Sequence, residues 1–458
     1  MAATSEVALT QTSAGVGRHG RAAAVPGPAP VTRIDASHLE RYCFKAEDEL
    51  LADLTAVLNS VRAADRSHVR RHSIEWSRDL AIEVPVARLD VWRNREVYQA
   101  LTSALGYLTA DRWTVRFTKR RHERPIPSQQ HLISPPAQAR VFMPFSNGLD
   151  SFAIASELLD APNPPELVLV NVRPSDKPTA WKNLAVRKGQ ALPSVQVSCY
   201  ADDPHRAELT FRSRPFLFDL LAGYGAAMAQ PACVVIPENG QGSLGGSLVP
   251  LGAEAPHRSC HPGFTSKLTH LLHALTGTEV RFQHPALFRT KGEVLAGLAA
   301  REPDVATWLV EHRSCSYDAR HSSQDGKVMH CGVCGNCLLR RASLLSAEIE
   351  DVTPYRARRL TAKTFDGAFE GHIPRNIEAN RDIALNSVRS MQRLADLAAQ
   401  PNQIRVEAEV AAIARGLGQP IQEVRDKMAK FLMQHQREWD TFLRSCGSDS
   451  WVLDFAGY

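Results

Sequence analysis

Fifteen residues separate Cys315 from the run Cys331-Gly332-Val333-Cys334-Gly335-Asn336-Cys337. Four thiolates at this spacing can close a tetrahedron around Zn²⁺, and the glycines let the chain turn tightly enough for the sulfurs to converge. No ligand position stays open, so the metal is expected to be structural. An iron–sulfur reading fares worse, because the ferredoxin pattern continues with a fourth cysteine and a proline, whereas Leu338-Leu339-Arg340-Arg341 follows here. His330 adjoins Cys331 and could replace one ligand, but with four cysteines at hand it is expected beside the site. A second constellation is Phe145-Ser146-Asn147-Gly148-Leu149-Asp150-Ser151. It follows an apolar strand-like run and opens a helix-like one, which places orphan backbone N–H groups where phosphate oxygens bind. Ser146 and Ser151 add hydroxyl donors, and Asp150, which would repel a bare phosphate, suits Mg²⁺. The bland alternative is an Asn-Gly turn with a Ser/Asp helix cap.

These groups need a frame. From 139 to 350, strand-like segments at 140–145, 166–172, 194–199, 233–237 and 280–284 alternate with helical ones at 151–160, 214–230, 263–276 and 290–302. That order predicts an α/β fold with a mostly parallel, Rossmann-like sheet, whose ligands lie beyond the carboxyl ends of the strands. Upstream, Leu50, Leu54, Val57, Leu58 and Val61 recur at helical spacing, and Leu80, Ile82, Val84 and Val86 alternate as a strand. Val97, Leu101, Leu105 and Leu108 then repeat the helix pattern, and Trp113, Val115 and Phe117 the strand pattern. Residues 34–125 therefore read as a small α/β domain. Residues 126–138, rich in Pro, Gln and Ser, read as a linker, and 351–458 as a helical tail whose apolar stripes are core packing.

Residues 1–33 hold Ala, Gly, Thr and Pro without an apolar run, and read as disordered rather than as a secretory signal. With 458 residues, 44% hydrophobic and 22% charged, the chain has the composition of a globular protein, and a net charge of +5 does not by itself imply nucleic acid. No run is long enough for a membrane span. Nine cysteines with a metal-like cluster suit a reducing compartment, with cytoplasm the expected location. Gly240-Gln241-Gly242-Ser243-Leu244-Gly245 fits a dinucleotide fingerprint, but Gly246, Pro250 and Gly252 argue against a following helix. The stretch 238–262 reads instead as a mobile loop lining the site.

The loop at 146–151 resembles the Ser-Gly-Gly-X-Asp-Ser PP-loop of ATP pyrophosphatases, with Asn147 where that pattern has glycine. Together with Ser314-Cys315-Ser316 and Cys-Gly-X-Cys-X-X-Cys-X-X-Arg at 331–340, it resembles the QueC family of 7-cyano-7-deazaguanine synthases over roughly 138–350. Weaker echoes are Arg214-Pro215-Phe216, Glu238-Asn239-Gly240 and Lys291-Gly292-Glu293. The additions at either end look like the QatC-type branch found in antiphage islands.

The resemblance implies an ATP-dependent, AMP-forming ligase with ATP as co-substrate, Mg²⁺ and a structural Zn²⁺ on Cys315, Cys331, Cys334 and Cys337. Its ATP loop carries over to Ser146, Asn147, Gly148, Leu149, Asp150 and Ser151. It implies Asp150 on the metal, Arg214 and Lys291 neutralising phosphate or carboxylate charge, and Glu238, Asn239 and Gly240 at a deazaguanine substrate. The nucleophile is ammonia or the amine of a partner protein; no membrane is involved and nucleic acid is not indicated. Two alternatives stay open. A PP-loop tRNA thiolase would need a reactive thiol, for which Cys199, Cys233 and Cys260 are available. A nucleotide-binding scaffold with weakened catalysis is motivated by Asn147, whose amide intrudes where a phosphate would lie.

Overall fold

The computed structural model describes residues 34–43, 49–71, 75–120, 139–146, 148–173, 194–201, 207–302, 305, 312, 314–317, 322–324, 326–400 and 403–457. The expected disordered terminus 1–33, the linker 126–138 and Asn147 lie outside the described residues.

The chain enters as β1 (Ile34–Asp35) and α1 (Ser37–Tyr42), then forms α2 (Glu49–Ser67), β2 (Asp79–Val86), α3 (Leu89–Trp92), α4 (Arg95–Thr109) and β3 (Arg112–Lys119). β2 and β3 pair in parallel as a sheet of their own, and their alternating residues Leu80, Ile82, Val84, Trp113, Val115 and Phe117 are buried, as the period of two demands. Next come β4 (Arg140–Pro144), α5 (Leu149–Leu159), β5 (Glu166–Arg173), β6 (Ser194–Ala201), α6 (Arg214–Met228) and β7 (Ala232–Val235). α7 (Gly240–Leu248), α8 (Pro262–Thr276), β8 (Phe282–Gln283) and α9 (Lys291–Arg301) complete this part. The main sheet has the order β1-β6-β5-β4-β7-β8, parallel throughout except for β1, which runs antiparallel to β6.

Alternation along β4 divides the interior in two. Phe142 joins Leu220 and Leu221 of α6 and Leu271 of α8 on one face, in a core continuous with Leu54, Val57 and Leu105 of the N-terminal helices. Val141 and Met143 face the other way, onto Phe152 and Ile154 of α5 and Leu295 of α9. A sheet buried on both faces explains why β4 reads as an unbroken apolar run. The chain passes from β4 to β5 on one side and reaches β7 on the other. The carboxyl end of β4 is therefore the topological switch point, where such sheets open a crevice.

The N-terminal segment also sets the entry to α6. Asp65 of α2 accepts the Ser213 backbone N–H (2.8 Å), while Glu208 accepts that of Arg70 (2.7 Å). Asp65 and Asp111 are themselves neutralised by Arg70 and Arg78, all four buried, so the network is satisfied internally. Arg120, just after β3, reaches the buried Asp53 at 2.6 Å.

One expectation is overturned. Residues 240–248, read as part of a mobile loop, form helix α7. Asn239 caps it by accepting the Gly242 N–H at 3.0 Å, and the glycines serve close packing. A Cβ at Gly246 would stand 2.6 Å from His257, and one at Gly240 would be 2.8 Å from the Leu287 carbonyl and jammed against the Phe431 ring.

After the small hairpin β9 (Ser323–Gln324) and β10 (Lys327–Val328), the regular elements are helices, interrupted by an irregular stretch at 347–376. They are α10 (Gly335–Ser346), α11 (Ile377–Asp396), α12 (Ile404–Leu417), α13 (Ile421–Cys446) and α14 (Trp451–Ala456). Val424, Met428, Phe431, Leu432, Trp439 and Phe442 of α13 are buried, as their spacing implies. No helix among the described residues is long and apolar enough to cross a membrane.

Candidate active site and metal centre

Cys315, Cys331, Cys334 and Cys337 lie with their sulfurs within 4.8 Å of one another. The Cys331 and Cys337 sulfurs are 3.8 Å apart, the edge of a tetrahedron built on zinc–sulfur bonds of about 2.3 Å. The knuckle folds this way for local reasons. Gly332 holds φ +86°, and the Cys334 N–H points at the Cys331 sulfur from 3.3 Å. Arg340, wholly buried, donates to the His312 carbonyl (2.9 Å) and the Ser314 hydroxyl (3.0 Å), which brings the segment carrying Cys315 onto α10. His330 is buried with Nδ1 4.0 Å from the Cys337 sulfur, beside the cluster. Four converging thiols, three buried and that of Cys315 half-buried, suit Zn²⁺ in a closed, structural role.

At the switch point, Phe145 is fixed by its own N–H to the Val170 carbonyl and by Asn171 donating to its carbonyl, both at 2.8 Å. The chain then turns, with Ser146 Oγ 3.0 Å from Ser151 Oγ and accepting the Gly148 N–H at 3.3 Å. Among the described residues no side chain caps α5 at Gly148. Its first-turn N–H groups thus face the crevice with the positive end of the helix, which suits an anion.

Asp150, in that first turn, is the hub. Its Oδ2 receives the Lys291 ammonium and its Oδ1 the Asn239 amide at 2.9 Å. The same amide donates to Glu238 Oε1 at 3.1 Å. Burial, and then the charge of Asp150, push the Glu238 carboxyl up to about 8 against the pull of Lys291. Lys291 is held by a reciprocal cap, in which Thr290 Oγ1 accepts the Glu293 N–H (3.1 Å) and Glu293 accepts that of Thr290 (2.8 Å). Its own N–H donates to Gln241 Oε1 at 2.8 Å.

The structure therefore brings Asp150, Ser151, Glu238, Asn239 and Lys291 together. Gly240 belongs to the packing of α7 rather than to the group of polar side chains. Arg214 stands apart: exposed at the start of α6, it lies 5.3 Å over the Phe218 ring and pairs with no acid among the described residues. Burial raises the three thiols that sulfur chemistry would need. Cys199 is pushed up to about 12 by burial, Cys233 is raised likewise, and Cys260 is raised by burial and by Glu238, Asp219 and Asp150.

Sequence reasoning missed part of the site. The tail, expected to be packing alone, supplies His435 and Glu438. His435 Nδ1 is 3.4 Å from Gln241 Nε2, and Glu438 accepts from Thr290. Both interrupt the apolar stripe that includes Phe431, which is how they could have been found.

Comparison with known proteins gives partial similarities. Over 140 residues the chain is 31% identical to the 7-cyano-7-deazaguanine synthases of Brucella canis and Brucella suis, covering 30% of this chain and 50% of each relative. Over 99 residues it is 35% identical to that of Brucella ovis, covering 21% of this chain and 37% of the relative. The chain thus spans about half the length, or less, of these curated relatives. No family model matches.

Proposed function

We propose that this protein is an ATP-dependent, AMP-forming ligase that activates the carboxylate of a 7-deazaguanine, 7-carboxy-7-deazaguanine being the candidate substrate. The observation that carries the reading is the convergence of Lys291, Asp150 and Asn239 on the uncapped first turn of α5, at the switch point of the sheet. The similarity to 7-cyano-7-deazaguanine synthases supports the substrate class.

In this reading a carboxylate oxygen attacks the α-phosphorus of ATP, and the bond to the pyrophosphate leaving group breaks. An amine then attacks the acyl carbon, AMP departs, and an amide forms after loss of one proton. The α5 N–H groups, Ser146 and Ser151 hold the leaving pyrophosphate, and Lys291 exchanges its contact with Asp150 for phosphate oxygens. Asp150, so released, is the residue that would hold Mg²⁺, which supplies charge neutralisation when bound. Arg214, exposed at the start of α6, is assigned in this reading to an anionic group brought by the substrates. The cysteine cluster would hold Zn²⁺ and fix α10 against the tail.

The nucleophile separates two versions. With ammonia the product is the free amide, and a second adenylation can dehydrate it to the nitrile. With the amine of a partner protein the product is a conjugate, as in a QatC-type role in phage defence; the sequence outside the matched segment offers surface for such a partner. Four thiolates on a metal suit the reducing cytoplasm. The tRNA thiolase alternative requires a thiolate near the nucleotide, and the raised thiols of Cys199, Cys233 and Cys260 disfavour one.

The test is to incubate the zinc-loaded protein with ATP, Mg²⁺ and 7-carboxy-7-deazaguanine, with and without ammonium, and to separate AMP from ADP. AMP that depends on the acid is the expected result; no AMP under any of these conditions overturns the reading. Intact mass of the protein encoded by a neighbouring gene, with and without this enzyme, decides between the two nucleophiles.

A further inference from the structure

β2 and β3 form a sheet of their own, and the outer edge of β3 is unpaired among the described residues. The ladder assigns its polar groups. The Arg112 N–H donates to the Arg78 carbonyl and the Arg120 N–H to the Val86 carbonyl, both at 2.9 Å, so the even-numbered residues of β3 turn their backbone groups to β2. The odd-numbered ones turn theirs outward, because successive residues of a strand alternate. Phe117 agrees: its carbonyl accepts from Arg93, at 3.0 and 3.3 Å, on the side away from β2. The Val115 N–H and carbonyl and the Phe117 N–H point the same way and meet no partner among the described residues. Val115 is 6% exposed and Phe117 4%, so little water reaches these groups, and an unpaired backbone group held from water is costly.

This edge borders a recess of about 420 Å³ between β3 and the start of α4, lined by Trp92, Tyr98 and Phe117 and by Arg93, Arg95 and Arg116, with no acid among its lining residues. Trp92 and Phe117 are in ring contact, centroids 5.3 Å apart, and form an apolar wall. Arg95 and Arg116 are exposed; Arg116 comes no nearer than 3.7 Å to Glu83 across the ladder, and Arg95 meets no acid among the described residues. A strand edge beside a helix, with room between them, is the geometry in which an extended peptide adds to a sheet, main-chain bonds giving affinity and the recess giving specificity.

We propose that the open edge of β3 docks an extended, acidic segment of a partner protein, which pairs with Val115 and Phe117 and sets its carboxylates against Arg95 and Arg116. Charge selects the occupant. The chain that follows β3, Arg120-Arg121-His122-Glu123-Arg124-Pro125, is itself basic, and residues 1–33 set a lone acid, Glu6, against Arg18, Arg21 and Arg33. A second copy would bring Arg112, Arg116 and Lys119 toward their own like, and cations on an edge keep such edges apart. The inference does not depend on the reading of the nucleotide site.

The experiment selects peptides of about twelve residues, long enough to pair along β3, from a random phage-displayed library on the wild-type protein without ATP. Enriched sequences are expected to carry acids at alternate positions and to lack proline. A selected peptide is then synthesised and its affinity measured by fluorescence anisotropy. Arg95→Glu combined with Arg116→Glu should weaken binding at least about tenfold while the thermal unfolding midpoint stays level. Methylating every second backbone nitrogen of the peptide should weaken binding as much in one register and little in the other, because alternate N–H groups face β3. No enrichment of acidic sequences, binding that survives the double substitution, or binding indifferent to methylation in both registers each overturns the inference. So does a dimer in sedimentation that the peptide dissociates, which would give the edge to a second copy.

Discussion

The Glu438 carboxylate, on the long helix near the end of the chain, accepts a 2.5 Å hydrogen bond from the hydroxyl of Thr290, the residue that caps the helix beginning with Lys291. Gln434 donates to the same oxygen at 3.0 Å, and Gly292 leaves the room that a side chain would take from Glu438. One turn back, His435 approaches the Gln241 amide, whose oxygen holds the Lys291 N–H. The tail therefore fixes the position of the Lys291 ammonium that meets Asp150. Glu438→Ala should lower kcat for AMP formation by about 100-fold with bound zinc unchanged, since a displacement of about 1 Å at a reacting group has that effect. Glu438→Gln keeps an oxygen for Thr290 and should recover most of the loss; equal defects in both would show that the hydrogen bond is not what matters.

Lys291 and Asp150 form a largely buried ion pair beside a second acid, so removing the cation alone leaves Asp150 uncompensated next to Glu238. Lys291→Ala should cost about 3 kcal/mol of stability, and adding Asp150→Ala should restore part of it. Both single variants should fail to form AMP, and Asp150→Ala should retain its zinc. Denaturant unfolding of the two single variants and the double decides the matter: additive losses would mean that the pair is not coupled.

How much of this was legible in the sequence depended on whether a signal was local. The strands 140–144 and 166–173, the helix at 214–228 and the cysteine knuckle are set by short-range patterns, and the structure has them where the patterns point. α7 was misread because glycine lowers helix propensity, while the close packing of Gly240 on Phe431, almost two hundred residues away, is invisible in a local window. The same distance hid Glu438 and His435, which looked like ordinary polar positions on a tail helix. The meeting of Glu238, Asp150 and Lys291 was readable only as three separate candidates, since their proximity comes from the crossover around β4.

Glu238 provides a pH signature. Its carboxyl titrates at about 8 in the folded protein against an ordinary 4.5, so the folded state holds a proton that the unfolded chain releases. The stability this contributes is complete below the unfolded value and is lost as pH rises through about 8. Glu238→Gln cannot titrate. Its stability relative to wild type should therefore increase from pH 5 toward pH 8, with a slope of at most about one proton per pH unit. Unfolding midpoints of the two proteins across that range test it, and parallel curves would mean that Glu238 ionises normally.

Burial and the charges of Glu238, Asp219 and Asp150 push the Cys260 thiol up and hold it protonated. Cys260→Ser should form AMP at close to the wild-type rate, within about threefold, because the thiol supplies no charge and no nucleophile in carboxylate activation. Loss of activity by about 100-fold, with the fold intact by thermal unfolding, would instead favour sulfur chemistry of the thiolase kind.

The metal centre can be tested through a glycine rather than a ligand. Gly332 sits at φ +86°, and a Cβ there would stand 2.5 Å from the Ala357 carbonyl oxygen. That oxygen accepts from Arg341 at 2.7 Å, and the Ala357 N–H donates to Cys331, so it cannot retreat without loosening the segment that covers the knuckle. Gly332→Ala combines the left-handed strain of about 1–2 kcal/mol with that clash, while leaving all four thiols in place. Wild type should carry one Zn²⁺ per chain, without the visible absorbance of an iron–sulfur cluster. Cys334→Ser, which removes a ligand, should lose the metal, and Gly332→Ala should release it to a chelator far faster than wild type does. Since a closed zinc site stabilises its fold by roughly 10 kcal/mol, stripping the metal should unfold 331–346 and the tail helices packed on it. Elemental analysis with circular dichroism before and after chelation reads both; full zinc retention in Cys334→Ser would remove that residue from the ligand set.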